Sequence, residues 1–163
     1  MAALIRALTY ATFFIGFFLV FLPARVLEIS GVARPQRIGP TEMVGATVTV
    51  VGGILALWCV VAFALVGRGT PAPFDAPRRL VTVGPYRWVR NPMYIGAGSA
   101  LAGAALFYRS LPLLAYVLIF AVVTHGFVVW YEEPALRRLF GEEYEVYRRR
   151  VRRWWPGLGA PRR

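Results

Sequence analysis

The chain has 163 residues, of which 58% are apolar, and its mean hydropathy is +0.54. This length suits one domain, and the apolar content exceeds that of ordinary soluble domains. All 19 basic residues are arginine, and the formal net charge is +11. Because the arginines flank apolar stretches and do not cover one face of a soluble domain, they indicate membrane topology and no nucleic-acid partner.

Four apolar segments follow one another, and a helix needs about 20 such residues to cross a bilayer. They are residues 2–22, 44–66, 93–108 and 111–130. The first ends at Pro23; a signal peptide is the alternative interpretation, but the segment is too long and no small-residue cleavage site follows. The tight connection at Arg109 predicts that the third and fourth segments form an antiparallel hairpin. Small residues give the third segment a narrow surface for a neighbouring helix, in the same or another molecule.

The distribution of arginines predicts the orientation. With four spans, both termini and the loop 67–92 share one side of the membrane, which carries fifteen arginines against four on the other side. The positive-inside rule therefore places the termini and this loop in the cytoplasm.

The C-terminal part is amphipathic. Apolar residues recur there at three- or four-residue spacing between Arg and Glu, namely Leu136, Phe140, Tyr144, Tyr147 and Val151. This pattern predicts a helix over 134–151 that lies at the membrane interface. The expected fold is thus an all-α integral membrane protein with about four transmembrane helices and a C-terminal amphipathic interfacial helix. It forms one domain, 1–163, with two spans in 1–66 and a C-terminal core in 67–157.

A polar segment leads into the third apolar stretch. Asn91 and Pro92 form a good helix start, since Asn can cap free backbone N–H groups and Pro suits the first helical position. Such a start also offers donors to an anion. Gly96 and Gly98 leave the first turns without bulky side chains, so either a ligand or another helix could lie against the backbone.

Ionisable residues mark the end of the fourth segment. Glu132 and Glu133 either mark the membrane boundary or bind a ligand. His125, the only histidine, lies seven residues before Glu132, which in an α-helix places both on one face. It is a functional candidate inside a span, with hydrogen-bonded packing as the alternative. Because the chain has a single histidine and a single cysteine, Cys59, we expect neither a metal site nor an internal disulfide.

Together these residues resemble the isoprenylcysteine carboxyl methyltransferase family and its relatives, the phospholipid N-methyltransferases. The pattern runs through Gly84-Pro-Tyr, Arg90-x-Pro92-x-Tyr94-x-Gly96, Glu132-Glu133, Phe140-Gly141-x-Glu143-Tyr144, Tyr147 and Pro156. It covers nearly half the chain, from about residue 80 to 157. The sequence departs from the family pattern at Asn91, where the family usually has a histidine, and an asparagine cannot become cationic.

The resemblance implies an enzyme that uses S-adenosylmethionine at the cytoplasmic end of the last membrane helices, with a lipid-like substrate entering from the bilayer. The expected catalytic residues are Arg90, which would orient a carboxylate by a bidentate contact, and Glu132. The expected cofactor-binding residues are Tyr86, Asn91, Pro92, Tyr94, Gly96, Gly98, His125, Glu132 and Glu133.

The leading prediction is carboxyl methylation of an isoprenylcysteine-like or related lipidic acid, because a carboxylate nucleophile needs no base at neutral pH. Phospholipid amine methylation is the alternative, with His125 or Glu132 as the base. A more distant resemblance is to membrane reductases that use a reduced nicotinamide, and a small non-enzymatic membrane protein is the alternative from another class. The substrate's tail and the oligomeric state stay open.

Overall fold

A computed structural model of the chain describes Thr9, residues 12–67 and residues 78–156. This part of the chain is helical and contains no strand longer than an isolated bridge. Its helices are α1 (Thr12–Ile29), α2 (Pro40–Gly67), α3 (Pro92–Phe107), α4 (Leu111–Phe140) and α5 (Glu142–Arg150). A short 3₁₀ turn, Gly84–Arg87, precedes α3. The predicted all-α class is confirmed.

Among the described helices, α1, α2 and α4 are long and apolar enough to cross a membrane. The helix α3 has 16 residues and is therefore about 24 Å long, short of the roughly 30 Å of a bilayer core. The predicted count of four spans is not confirmed, because the third apolar segment forms a shorter helix. The predicted start of the first span lies outside the described residues.

Two predicted helix boundaries at proline are wrong, and for the same reason. The helix α1 continues through Pro23, and α4 continues through Pro134. In each helix a π turn comes just before, at Ile15–Phe21 and at Val128–Glu132. The residue preceding each proline bonds its N–H to the carbonyl five residues back. The N–H that proline lacks therefore falls at the position where the backbone hydrogen bonds change from five-residue back to four-residue spacing. Because no N–H is needed at this position, the helix continues past the proline.

The predicted amphipathic helix over 134–151 is divided in two. Its first turns belong to α4, which ends at Phe140, and its remainder is α5. The division occurs at Gly141, whose φ of +50° is readily adopted only by glycine. Tyr144 and Tyr147 nevertheless lie on a buried face, as the spacing indicates, and pack with Leu80.

Backbone contact between α2 and α3 fixes the position of the start of α3. The contact is made by glycines on both helices: Gly45 and Gly52 on α2, Gly96 and Gly103 on α3. A Cβ added at Gly52 would lie 2.6 Å from the backbone nitrogen of Ala100. Thr49 adds a hydrogen bond from its hydroxyl to the Ala100 carbonyl, 3.2 Å long. The narrow surface of the third segment is therefore used within the molecule.

The predicted hairpin of the third and fourth segments is confirmed. Ser110 begins the turn into α4 and accepts a hydrogen bond from the Leu113 N–H at 3.2 Å, a standard N-cap arrangement. Arg109, at the tip, has a φ of +48°. Its Nε lies 2.7 Å from a carboxylate oxygen of buried Glu42, which ties the turn to the start of α2.

Candidate active site

A small cavity lies at the opposite end of the helices, where the start of α3, the π turn of α4 and the helix α5 meet. Its lining joins charged and aromatic side chains to an apolar wall: Phe63, Leu80, Val81, Tyr86, Arg90, Asn91, Glu132, Glu133, Leu136, Tyr144 and Tyr147. Five of the ten predicted site residues, about 40 positions apart in sequence, therefore meet: Tyr86, Arg90, Asn91, Glu132 and Glu133.

Glu133 lies at the centre of an ion cluster and is only 6% exposed. Arg90 approaches one of its oxygens at 3.1 Å through Nη2. Arg153 donates to both oxygens, from Nε at 2.7 Å and from Nη2 at 2.9 Å. Arg90 also donates from Nη1 to the Tyr144 hydroxyl at 3.2 Å. Two guanidinium groups thus neutralise the carboxylate, and both Nη atoms of Arg90 already have partners.

Glu132, the neighbouring carboxylate, has a different environment. It accepts a hydrogen bond from the Tyr94 hydroxyl at 3.2 Å. Within the described residues no arginine forms an ion pair with it. The cavity therefore holds one neutralised carboxylate and one without a cationic partner.

Three buried tyrosines complete the polar lining. The Tyr147 hydroxyl donates to the backbone carbonyl of Tyr86 at 2.7 Å. Burial raises the pKa of the phenols of Tyr86, Tyr144 and Tyr147, so these groups stay protonated at neutral pH and serve as hydrogen-bonding groups, not as bases. The hydrogen bonds to Glu133 likewise raise the pKa of Arg153, which keeps that pair ionised.

The predicted capping role of Asn91 is wrong. Asn91 precedes α3, but its side chain accepts no hydrogen bond from the helix start. Its amide nitrogen donates instead to the backbone carbonyl of Arg153 at 3.3 Å. Pro92 is buried in the first turn of α3, as its conformational preference predicts, and does not line the cavity.

The two glycines expected at the cofactor lie elsewhere on α3. A Cβ added at Gly96 would come within 2.7 Å of the Ala56 nitrogen, so Gly96 faces α2. A Cβ at Gly98 would meet only a ring carbon of Phe120 at 4.0 Å. The sequence left two possible contacts for these glycines, a ligand or another helix, and Gly96 contacts another helix.

His125 does not join Glu132. It is exposed, and its Nδ1 accepts a hydrogen bond from the Trp154 indole at 3.0 Å, with the two rings 5.9 Å apart. The predicted shared face assumed a regular α-helix, whereas the π turn Val128–Glu132 intervenes. A π turn rotates less per residue than an α-helix, so Glu132 points to the cavity and His125 does not.

The cluster contains residues that the site prediction missed. Tyr144 and Tyr147 stood on the apolar face of the amphipathic segment and in the resemblance pattern, which was a usable signal. No sequence signal indicated Arg153, because nothing in the sequence distinguishes it from the other arginines of the C-terminal cluster.

The chemistry of the cavity fits a cofactor that carries a sulfonium and hydrogen-bond acceptors. Glu132 is a carboxyl group without a cationic partner among the described residues, and the Nε–H of Arg90 is a buried donor without an acceptor among them. The volume does not yet fit: the cavity measures about 30 Å³, whereas ligand pockets usually measure roughly 300–1,000 Å³.

The family model of phospholipid methyltransferases matches residues 40–143. This range is more than half of the chain and contains both Arg90 and the Glu132-Glu133 pair. The chain belongs to the phospholipid methyltransferase family. The predicted resemblance to membrane methyltransferases is confirmed at this level, and the isoprenylcysteine branch is not supported specifically.

Among individual relatives, the phosphatidylethanolamine N-methyltransferase of the fungus Chaetomium globosum is 32% identical to this member of the phospholipid methyltransferase family over 69 residues. The match covers 42% of this chain and 7% of the fungal protein, so the chain corresponds to a small part of that relative's length. No solved structure matches the chain.

Proposed function

We propose that this protein is an S-adenosylmethionine-dependent methyltransferase that methylates the amino group of a membrane phospholipid. Membership of the family supports methyl transfer, and the charges of the cavity support an amine as the acceptor. Glu133 is neutralised by Arg90 and Arg153, while Glu132 has no cationic partner among the described residues. A protonated amine is attracted to such a carboxylate, and a substrate carboxylate is repelled by it.

The same geometry argues against carboxyl methylation, which was the leading prediction from the sequence. That reaction relied on a bidentate contact between Arg90 and a substrate carboxylate. In the structure, Nη2 of Arg90 already pairs with Glu133 and Nη1 with Tyr144, and Nε is its one buried nitrogen without a partner among the described residues. The alternative prediction, amine methylation, therefore fits the site better.

The reaction requires a base and a dry, ordered site. An alkylamine is protonated at neutral pH and must transfer a proton before its lone pair can attack, and Glu132 is placed to accept that proton. Tyr94 holds one oxygen of Glu132 by a hydrogen bond, which orients the carboxylate. When bound, S-adenosylmethionine supplies a methyl group on a cationic sulfur. The buried tyrosines exclude water from the place of transfer, which favours in-line alignment.

The residues that would hold the cofactor are those lining the cavity. The Nε–H of Arg90 would donate to a carboxylate or hydroxyl of the cofactor, and Tyr86 and Tyr144 would enclose its flat or cationic parts. We further propose that the cavity faces the cytoplasm, following the arginine bias of the sequence, and that the phospholipid reaches it from the bilayer.

The test is a methyl-transfer assay in phospholipid nanodiscs that contain phosphatidylethanolamine, with radiolabelled S-adenosylmethionine. Label should appear in the phospholipid headgroup, and Glu132→Gln should lower kcat by about 100-fold or more, the usual contribution of a general base. Glu142→Gln is the matched control, because Glu142 is 78% exposed in a surface pair with Arg149, and it should retain activity within about twofold.

Two outcomes would contradict the proposal. Label in a farnesylated cysteine ester and none in phosphatidylethanolamine would support carboxyl methylation instead. Binding of a reduced nicotinamide nucleotide and not of S-adenosylhomocysteine, measured by calorimetry, would replace methyl transfer with reduction.

A further inference from the structure

The chain beyond α5, residues 151–155, which we call the strap, contacts three residues that line the cavity: Arg90, Asn91 and Glu133. Val151 leaves the helix with extended dihedral angles. The strap then runs parallel to the residues that lead into α3, with a bridge between Val89 and Arg152. The Arg90 N–H donates to the Arg152 carbonyl at 2.9 Å. The backbone of the strap is therefore attached directly to the segment that carries Arg90.

Side chains attach the strap to two further points. Arg153 makes its two hydrogen bonds to Glu133, and its backbone carbonyl accepts from Asn91. Trp154 donates to His125 on α4. Asn91 and His125, which the sequence assigned to the cofactor, thus both contact the strap.

The cavity beside the strap is small. At about 30 Å³ it has room for one or two water molecules, far less than a nucleoside needs. If the cavity receives a cofactor, one of the segments around it has to move.

The segments around the cavity differ in how easily they can move. The start of α3 is fixed by backbone contact with α2, where Gly52 and Gly96 leave no space between the helices. The strap is held mostly by hydrogen bonds and one ion pair, and water can replace these when the strap lifts. Moreover, Glu133 keeps Arg90 as a partner when Arg153 departs, so no buried charge is left unpaired.

We propose that the strap is the gate of the cofactor site and that the Arg153–Glu133 pair is its latch. The inference rests on the proposed function for the identity of the ligand that passes. Arg153 is a positioning residue in this scheme: it holds the strap against Glu133 in the cavity lining and moves with the strap, while Asn91 and His125 support the closed position.

The closed strap has a direct reporter that needs no ligand. The Arg90 amide is protected by the Arg152 carbonyl alone, so its hydrogen exchange follows strap opening. Arg153→Gln should accelerate this exchange about tenfold or more, since it removes charged hydrogen bonds. Arg149→Gln is the matched control, because it removes an exposed ion pair of 3.5 Å on the neighbouring helix, and it should leave the Arg90 amide unchanged. Equal protection of the Arg90 amide in Arg153→Gln and Arg149→Gln would show that the Arg153–Glu133 pair does not hold the strap closed.

A reversible lock tests the gate independently of Arg153. Paired strands place Cα atoms about 4.8 Å apart, within the range of about 4.4–6.8 Å that a disulfide spans. Val89→Cys with Arg152→Cys, in a Cys59→Ala background, should therefore cross-link the strap in the closed position. The probe is S-adenosylhomocysteine, measured by calorimetry in detergent. We expect the reduced protein to bind it, the oxidised protein to lose at least about tenfold in affinity, and reduction to restore binding.

The gate and the proposed function fail in different ways. If fully oxidised protein binds S-adenosylhomocysteine as tightly as reduced protein, the gate is wrong and the methyltransferase proposal stands. If neither wild-type nor reduced protein binds it, the methyltransferase proposal is wrong, and the cofactor gate falls with it.

Discussion

Two adjacent glycines of α2 allow a sharp test of the helix packing that positions the candidate site. At Gly52, a Cβ would lie 2.6 Å from both the Ala100 nitrogen and the Gly96 carbonyl oxygen. Both are backbone atoms, so relief requires the two helices to separate. Overpacking of this kind costs about 1–3 kcal/mol. At Gly53, a Cβ would meet nothing within 4 Å, and the better helix propensity of alanine should stabilise by about 0.5–1 kcal/mol.

The measurement is thermal unfolding of Gly52→Ala and Gly53→Ala in one detergent, followed by circular dichroism. For a chain of this size, 1 kcal/mol corresponds to roughly 2–4 °C in Tm. Gly52→Ala should therefore lower Tm by about 2–12 °C, and Gly53→Ala should raise it by about 1–4 °C. The two substitutions are chemically identical and one residue apart, so only the environment of the added methyl group differs.

Equal shifts in Tm for the two variants would refute the backbone contact between α2 and α3. A second pair on α3 separates packing from cofactor binding. Gly96→Ala should lower Tm in the same way as Gly52→Ala, whereas Gly98→Ala, whose methyl group would meet only Phe120 at 4.0 Å, should raise Tm by about 1–4 °C, as Gly53→Ala does. If Gly96→Ala weakened S-adenosylhomocysteine binding without lowering Tm, the assignment of Gly96 to packing would be wrong.

Three further variants probe single contacts. Tyr94→Phe removes the hydrogen bond to Glu132 and should lower kcat about tenfold, with a decrease in Tm of a few degrees from the lost bond; unchanged kcat would contradict the orienting role. Ser110→Ala removes the bond accepted from Leu113 and should destabilise by about 1 kcal/mol, seen as a lower Tm; an unaltered Tm would contradict the cap. Cys59 is fully buried, so maleimide should label it only after denaturation, and rapid labelling of native protein would contradict its position.

Local patterns in the sequence were sufficient for the helical class and for much of the site. The apolar segments locate both ends of α3 and the start of α4 to within a turn, whereas α1 and α4 continue seven and ten residues past their predicted ends. The residues Arg90, Asn91, Glu132 and Glu133 stood out because charged or polar side chains at helix ends are few in such a chain, and they do line one cavity.

Helix continuity could not be predicted from the sequence, because it depends on the backbone hydrogen bonds that precede each proline, and these are not visible in the sequence. Pro23 and Pro134 both indicated an end, and in both helices a π turn instead carries the chain past the proline. The same π turn in α4 separates His125 from Glu132, although their spacing of seven is correct for one face of a regular helix.

The sequence by itself determined that this is a helical, arginine-rich chain with membrane-length apolar segments and a polar cluster near residues 90 and 132. Those properties follow from side-chain hydropathy and local spacing, which act along the chain. Only the tertiary structure decided which charges are neutralised: Arg153 reaches Glu133 across 20 residues, while Glu132 has no cationic partner among the described residues. This difference supports the proposal of an amine substrate over a carboxylate. That pairing depends on how the strap folds back over α3 and α4, and no local pattern encodes it.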